Sequence, residues 1–261
     1  GPTRQQLMGH DCDLGLGCGA MLVLVALAAA ASAFVKGAIG FGFPAIGTPL
    51  LSLLLDVKTA YLVLIVPNIV MDGVQLVRGG APLPMVRRML PVVAFGAVGM
   101  VAGTHLLAVL ASRTVMLILG AFVLLFVALN VTRLVPRLPA RWEWWTSPVA
   151  GLVSGVVGGI TNVPGTPLVI YFHALGLPKR DFVRAVAFTF VLAKVAQLAA
   201  VSWYGLMTGT LLVGSLLLTL AALAGFSLGL RVQDRLDPRA FNRAALGFLS
   251  LLGAWLLFVS W

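Results

Sequence analysis

The stretch 37-GAIGFGFPAIGTPL-50 places four glycines and two prolines in fourteen residues, within a chain that is otherwise apolar over long distances. An uninterrupted transmembrane helix accommodates such residues poorly, because glycine adds backbone freedom and proline removes a hydrogen-bond donor. The stretch predicts a break in a membrane-embedded helix. What the break serves decides how the rest of the chain is read.

Composition sets the membrane context. The chain is 60% apolar and only 10% charged, whereas soluble domains are about 25% charged. Apolar runs at 14–35, 115–134 and 211–230 reach the roughly 20 residues that cross a bilayer as a helix. The expected class is an all-α polytopic membrane protein, since barrel strands would instead alternate polar and apolar residues. The net charge of +10 resides in short loops between apolar runs, where the positive-inside rule accounts for it. With no basic soluble domain, nucleic acid is not an expected partner. Cys12 and Cys18 have neither the number nor the spacing of a disulfide framework or a zinc site. No metal and no cofactor is expected.

The opening stretch has a second copy. A shift of 118 residues lays it over 155-GVVGGITNVPGTPL-168, matching Gly37, Gly40, Gly47, Thr48, Pro49 and Leu50 to Gly155, Gly158, Gly165, Thr166, Pro167 and Leu168. Each copy is followed by a short apolar piece and then by a helix carrying polar groups. Next comes a helix with a GxxxG pair, Gly99/Gly103 or Gly225/Gly229, and a plain apolar helix closes the half at 115–134 or 240–259. Residues 14–134 form the first repeat, 135–146 a linker with interfacial tryptophans, and 147–261 the second repeat.

Loop charges give the relative orientation. In the first half, Arg78, Arg87 and Arg88 follow the polar helix, and Arg133 at the end of the repeat is followed by Arg137 and Arg141 in the linker. In the second half the loop after the polar helix, 204-YGLMTG-209, is uncharged. Lys179, Arg180 and Arg184 precede that helix, and Arg231, Arg235, Arg239 and Arg243 follow the glycine-pair helix. The bias reverses, so the repeats are expected to be inverted, each crossing an odd number of times. Each half is then a glycine-broken helical hairpin plus three transmembrane helices. The arm 149–158 is too short to span at about 1.5 Å per residue, which favours a re-entrant hairpin there; the arm 14–35 is long enough to cross alone.

Non-helical backbone at membrane depth persists only where protein or a water-filled cavity covers it. Inverted breaks meeting near the midplane are the arrangement of carriers with discontinuous helices. A second arm beginning at Pro44 or Pro164 would present free N–H groups to an anion. Thr48 and Thr166 would add hydroxyls in its first turn, with Thr161, Asn162 and Gly40 at the breaks themselves. Lys36 adjoins the first break and is expected to attract an anionic substrate. Asn68, Asp72 and Gln75 share one helical face, and Lys194 and Gln197 repeat the three-residue spacing of Asp72 and Gln75 in the second half. Charges at this depth face cavities or each other. Two readings of Asp72 and Lys194 stand open: an ion pair joining the halves, or a direct part in transport, with Asp72 as a coupling candidate. The glycine pairs Gly99/Gly103 and Gly225/Gly229 are expected to serve close helix packing.

The duplicated break, the leucine-rich short arm after each copy and the downstream 99-GMVAG-103 and 225-GFSLG-229 pairs resemble the sulfite exporter TauE/SafE family over nearly the whole chain. The resemblance implies a bacterial inner-membrane, multi-pass carrier of sulfite, organosulfonates or related small anions, commonly an exporter. The glycine cluster departs from the family pattern, reading GFGFP in one copy and GGITN in the other, which leaves the substrate within small anions open. The expected partners are a small anionic solute and the bilayer, with a homodimer as one assembly. An anion channel and a carrier of small carboxylates are the alternatives. The chain has no HExxH, no P-loop and no pair of membrane-depth acids, so neither an enzyme nor an ATP-driven pump is expected.

Overall fold

A computed structural model describes residues 18–40, 42–80, 83–132, 138–163 and 165–232, with single positions at 250, 254 and 258. All elements among these residues are helical. In chain order they are α1 (Cys18–Ile39), α2 (Phe43–Leu51), α3 (Val57–Val63), α4 (Ile65–Gly79), α5 (Leu83–Val109) and α6 (Ser112–Thr132). A 3-10 turn at Ala140–Trp142 leads into α7 (Glu143–Thr161), α8 (Gly165–Ala174), α9 (Lys179–Trp203) and α10 (Gly209–Val232). The closing helix expected at 240–259 lies outside the described residues.

Among the described residues, five segments are long and apolar enough to cross a membrane: Gly19–Ala38, Val57–Gly79, Pro84–Val109, Asp181–Trp203 and Gly209–Val232. Leu22, Leu27, Val98, Leu217 and Leu220 are exposed on them, as lipid-facing side chains are. The chain is a multi-pass membrane protein. The expected breaks are present, since α1 ends at Ile39 before α2 begins at Phe43, and α7 ends at Thr161 before α8 begins at Gly165. Gly40 and Gly42 both have φ 99°, a left-handed conformation that turns the chain between the arms. Pro44 occupies the first turn of α2, where its missing N–H costs nothing.

Two boundaries differ from the sequence reading. The arm expected at 149–158 is the 19-residue α7, which extends into the linker because the tryptophan-rich segment from Glu143 is already helical. The polar helix of the first half is divided into α3 and α4 around Leu64. Pro67 is the cause. Lacking an N–H, it cannot bond the carbonyl of Val63, and Ser215 of α10 donates to that oxygen instead, at 2.7 Å.

The glycines of the pairs serve close packing between helices far apart in sequence. Helix α5 packs against α7, and α1 packs against α10. A Cβ at Gly99 or Gly103 would run into the backbone of α7 around Leu152 to Gly159, and one at Gly225 or Gly229 into α1 around Ala30 to Ala38. Gly37 and Gly155, read from sequence as members of the breaks, lie inside α1 and α7 and belong to these contacts. Each of α1 and α7, the helices that end at the breaks, is thus held against a helix carrying a glycine pair.

Candidate functional site

Where the breaks approach one another, the helices bury a set of polar side chains. Lys36, Thr48, Asn68, Asp72, Gln75, Thr161, Asn162, Lys194 and Gln197 are all buried, and Lys36, Asn68, Asp72, Asn162, Lys194 and Gln197 have essentially no exposure. Gly40 is buried as well. For Thr166 only the backbone is described; it is the second residue of α8.

The first cluster joins α1 to α4. One turn before the break, the Lys36 ammonium donates to Asp72 Oδ1 at 2.5 Å and to Asn68 Oδ1 at 2.8 Å. The spacing of Asn68, Asp72 and Gln75 places them along one face. Gln75 Nε2 reaches the break itself, donating to Gly40 O at 3.0 Å. That carbonyl belongs to the turn and has left the helical ladder, so the glutamine satisfies backbone that lipid could not.

The second cluster is built on Asn162, whose φ of 68° makes it the only non-glycine residue in the left-handed region among those described. Its backbone N–H closes α7 by donating to Gly158 O at 2.9 Å. Lys194 Nζ donates to Asn162 O at 3.1 Å, to Asn162 Oδ1, and to Gln197 Oε1 at 2.6 Å. Gln197 Nε2 donates to Asn162 Oδ1 at 3.2 Å. The amide nitrogen of Asn162 donates to Thr48 Oγ1 at 3.0 Å, which connects the second break to α2. Thr161 caps its own helix, accepting from Val163 N at 3.2 Å and donating to Val157 O at 2.7 Å.

Two expectations need correcting. Asp72 pairs with Lys36 within its own half, and no ion pair joins it to Lys194 among the described residues. A lysine on α1 one turn ahead of the break reaches α4 directly, whereas Lys194 is taken up by Asn162 and Gln197. Lys36 thus has Asp72 as its ionic partner. Thr48 lies in the second turn of α2 and not the first, because the helix starts at Phe43.

Lys194 holds the opposite position to Lys36. It is fully buried, its hydrogen-bond partners are all neutral, and the charged groups whose fields reach it are Asp72 and Lys36. The polar core as a whole contains two ammonium groups and one carboxylate. Asn68 Nδ2, Asp72 Oδ2 and Gln75 Oε1 have no hydrogen-bond partner among the described residues. Unpaired polar atoms at such burial are costly and are typical of sites that take a ligand or a proton.

Sequence reasoning missed Tyr61. It is fully buried on α3, its hydroxyl donates to Gly159 O at 2.7 Å, and its carbonyl accepts from Asn162 Nδ2 at 3.5 Å. Its only signal was a tyrosine within a span, in a chain with three tyrosines. The His105 ring lies tilted against that of Tyr204, with centroids 5.4 Å apart.

Among the described residues no group of histidine, cysteine or acidic side chains could hold a metal ion. Compared with curated proteins and with solved structures, the chain finds no match. A helical membrane protein whose paired breaks enclose buried lysines and amides is what the duplicated glycine-proline motif had led us to expect. The profile described as Sulfite exporter TauE/SafE matches residues 24–256, nearly the whole chain, and the protein belongs to that family of transporters.

Proposed function

We propose that the protein is a secondary carrier, working as an exporter in a bacterial inner membrane, for small sulfur-containing anions such as sulfite or organosulfonates. The observation that carries this reading is Lys194, buried with only neutral partners in a core where ammonium groups outnumber carboxylates. A buried charge without a counter-charge is expensive, and an entering anion supplies one. Asn162, Gln197 and Thr48 stand around that lysine as orienting groups, and Gly42 at the start of α2 leaves the first-turn N–H groups without a side-chain cap. Lys36, Asn68 and Gln75 form the facing wall, and Thr166 follows from its place at the start of α8.

Two inverted repeats, 14–134 and 147–261, supply the alternating access. The reversal of loop charge supports this reading, as does the reciprocal packing of α1 on α10 and of α7 on α5. The test is flux in vesicles reconstituted with the purified protein. Wild type should show saturable exchange of labelled sulfite and methanesulfonate, and Lys194→Met should lose at least about tenfold in transport at subsaturating anion, given the cost of truncating a buried ionic contact. Unsaturable conductance would favour a channel, preference for acetate over methanesulfonate would favour a carboxylate carrier, and full activity of Lys194→Met would place the site elsewhere.

A further inference from the structure

Among the described residues the polar core holds three acidic or basic side chains, Lys36, Asp72 and Lys194, all fully buried and each within the field of the others. With all three ionised the core carries one net positive charge. A monovalent anion brings that to zero; a divalent anion overshoots by one. In a buried site an unbalanced charge is costly, so a divalent ligand requires one more positive charge from somewhere.

Asp72 can provide it without dismantling the cluster. Its Oδ1 receives the Lys36 ammonium, while its Oδ2 is buried and has no hydrogen-bond partner among the described residues. A proton on Oδ2 therefore leaves the contact with Lys36 in place and turns an idle acceptor into a donor. Two further donors stand beside it. Asn68 Nδ2 is unpartnered, and the Lys36 ammonium spends two of its three N–H groups on Asn68 Oδ1 and Asp72 Oδ1.

We propose that Asp72 is a proton-binding site that matches the charge of the core to the valence of the bound anion: a sulfonate or other monovalent oxyanion binds with Asp72 ionised, and a divalent oxyanion binds together with one proton on Asp72 Oδ2. This rests on the carrier reading above and adds the coupling rule. The proton comes from solvent with the divalent anion and returns to solvent on its release. Either kind of substrate then moves one net negative charge, but only the divalent kind moves a proton.

The groups facing Asp72 are Lys36 from α1 and Lys194 from α9. Helix α3 offers Tyr61, whose hydroxyl is engaged by Gly159 O, and α10 has its basic residue, Arg231, in the last turn. Lys194 is the competing seat for a titrating proton, and the experiment separates the two.

Isothermal titration of the full chain in detergent, with methanesulfonate and with sulfate, in buffers of different protonation enthalpy, counts the protons taken up on binding. The expected result is about one proton per sulfate and none per methanesulfonate, with sulfate affinity falling by up to about tenfold per pH unit where methanesulfonate affinity does not. Asp72→Asn should bind sulfate with no proton uptake and no pH dependence. Equal uptake with both anions, or uptake that persists in Asp72→Asn, overturns the proposal; uptake with methanesulfonate would place the proton on Lys194. If Asp72→Asn fails to fold, the contrast between the anions in wild type decides alone. If neither anion binds wild type, the carrier reading itself fails and the coupling rule falls with it.

Discussion

Lys36 is fully buried and donates to a single carboxylate oxygen of Asp72, so removing either partner leaves the other charged where nothing can solvate it. Lys36→Met should cost about 3–5 kcal/mol of stability through the stranded carboxylate, while Lys36→Met combined with Asp72→Leu should recover most of that. Unfolding of the three proteins in one detergent, as a double-mutant cycle, checks this; simple additivity of the two losses would show that the pair is not coupled. The sequence showed that these groups lie at membrane depth, because a charged residue in an apolar run stands out. It did not show which lysine Asp72 meets. Helical spacing fixes a face, but the partner on that face depends on how far α1 reaches before its break. Tyr61 stayed hidden for a related reason: a tyrosine in a span is ordinary until its hydroxyl is found on the carbonyl of Gly159.

At the scale of elements, glycine has two separate duties. Gly40 and Gly42 supply the left-handed turn of the first break. Gly99, Gly103, Gly225 and Gly229 let helix backbones touch, and a methyl group at any of them would meet opposing backbone and not a movable side chain. Gly99→Ala and Gly225→Ala should therefore each lose about 1–3 kcal/mol by overpacking. Gly73→Ala, on α4 with no neighbouring atom within 4 Å of the added carbon, should lose nothing and can gain about 0.5–1 kcal/mol from reduced backbone freedom. Thermal unfolding of the three variants separates them, and equal behaviour would contradict the distinction. Both breaks and both glycine pairs were legible because glycine and proline act locally. The division of α3 from α4 was half legible: Pro67 announced a free carbonyl, but the donor that fills it, Ser215, lies 152 positions away from Val63. Gly37 and Gly155 were assigned to the breaks for want of that same long-range information.

For the whole molecule, the pairing of α1 with α10 and of α5 with α7 limits how it can move. A carrier built of two halves would work by rocking or by gating about a midplane site. Backbone-close contacts along both interfaces oppose sliding, and each interface joins a helix that ends at a break to a helix carrying a glycine pair. Movement should instead carry each such pair as a unit, with the short arms α2 and α8 and the polar helices α4 and α9 shifting between them. The bidentate contact of Arg88 with Glu143, at 2.5 and 2.8 Å, lies across the α5–α7 interface and marks a joint that stays closed. Bridging Arg88→Cys to Glu143→Cys with a short bifunctional thiol reagent should thus leave anion flux near the unbridged level. A bridge that stops transport would show that these two helices part during the cycle. The family was legible in the sequence because its signature is the break itself, yet which helices travel together was not, since that depends on contacts between repeats.

The central claim is that an anion rests beside Lys194 and Asn162, between the two breaks. Crystals of the full chain grown with 2-bromoethanesulfonate and measured at the bromine absorption edge would locate the ligand directly. The account predicts an anomalous peak inside the polar core, with the sulfonate oxygens against Lys194 and the amides of Asn162 and Gln197. A bound bromosulfonate found only outside that core, with Lys194 still held by Asn162 and Gln197 alone, would contradict it.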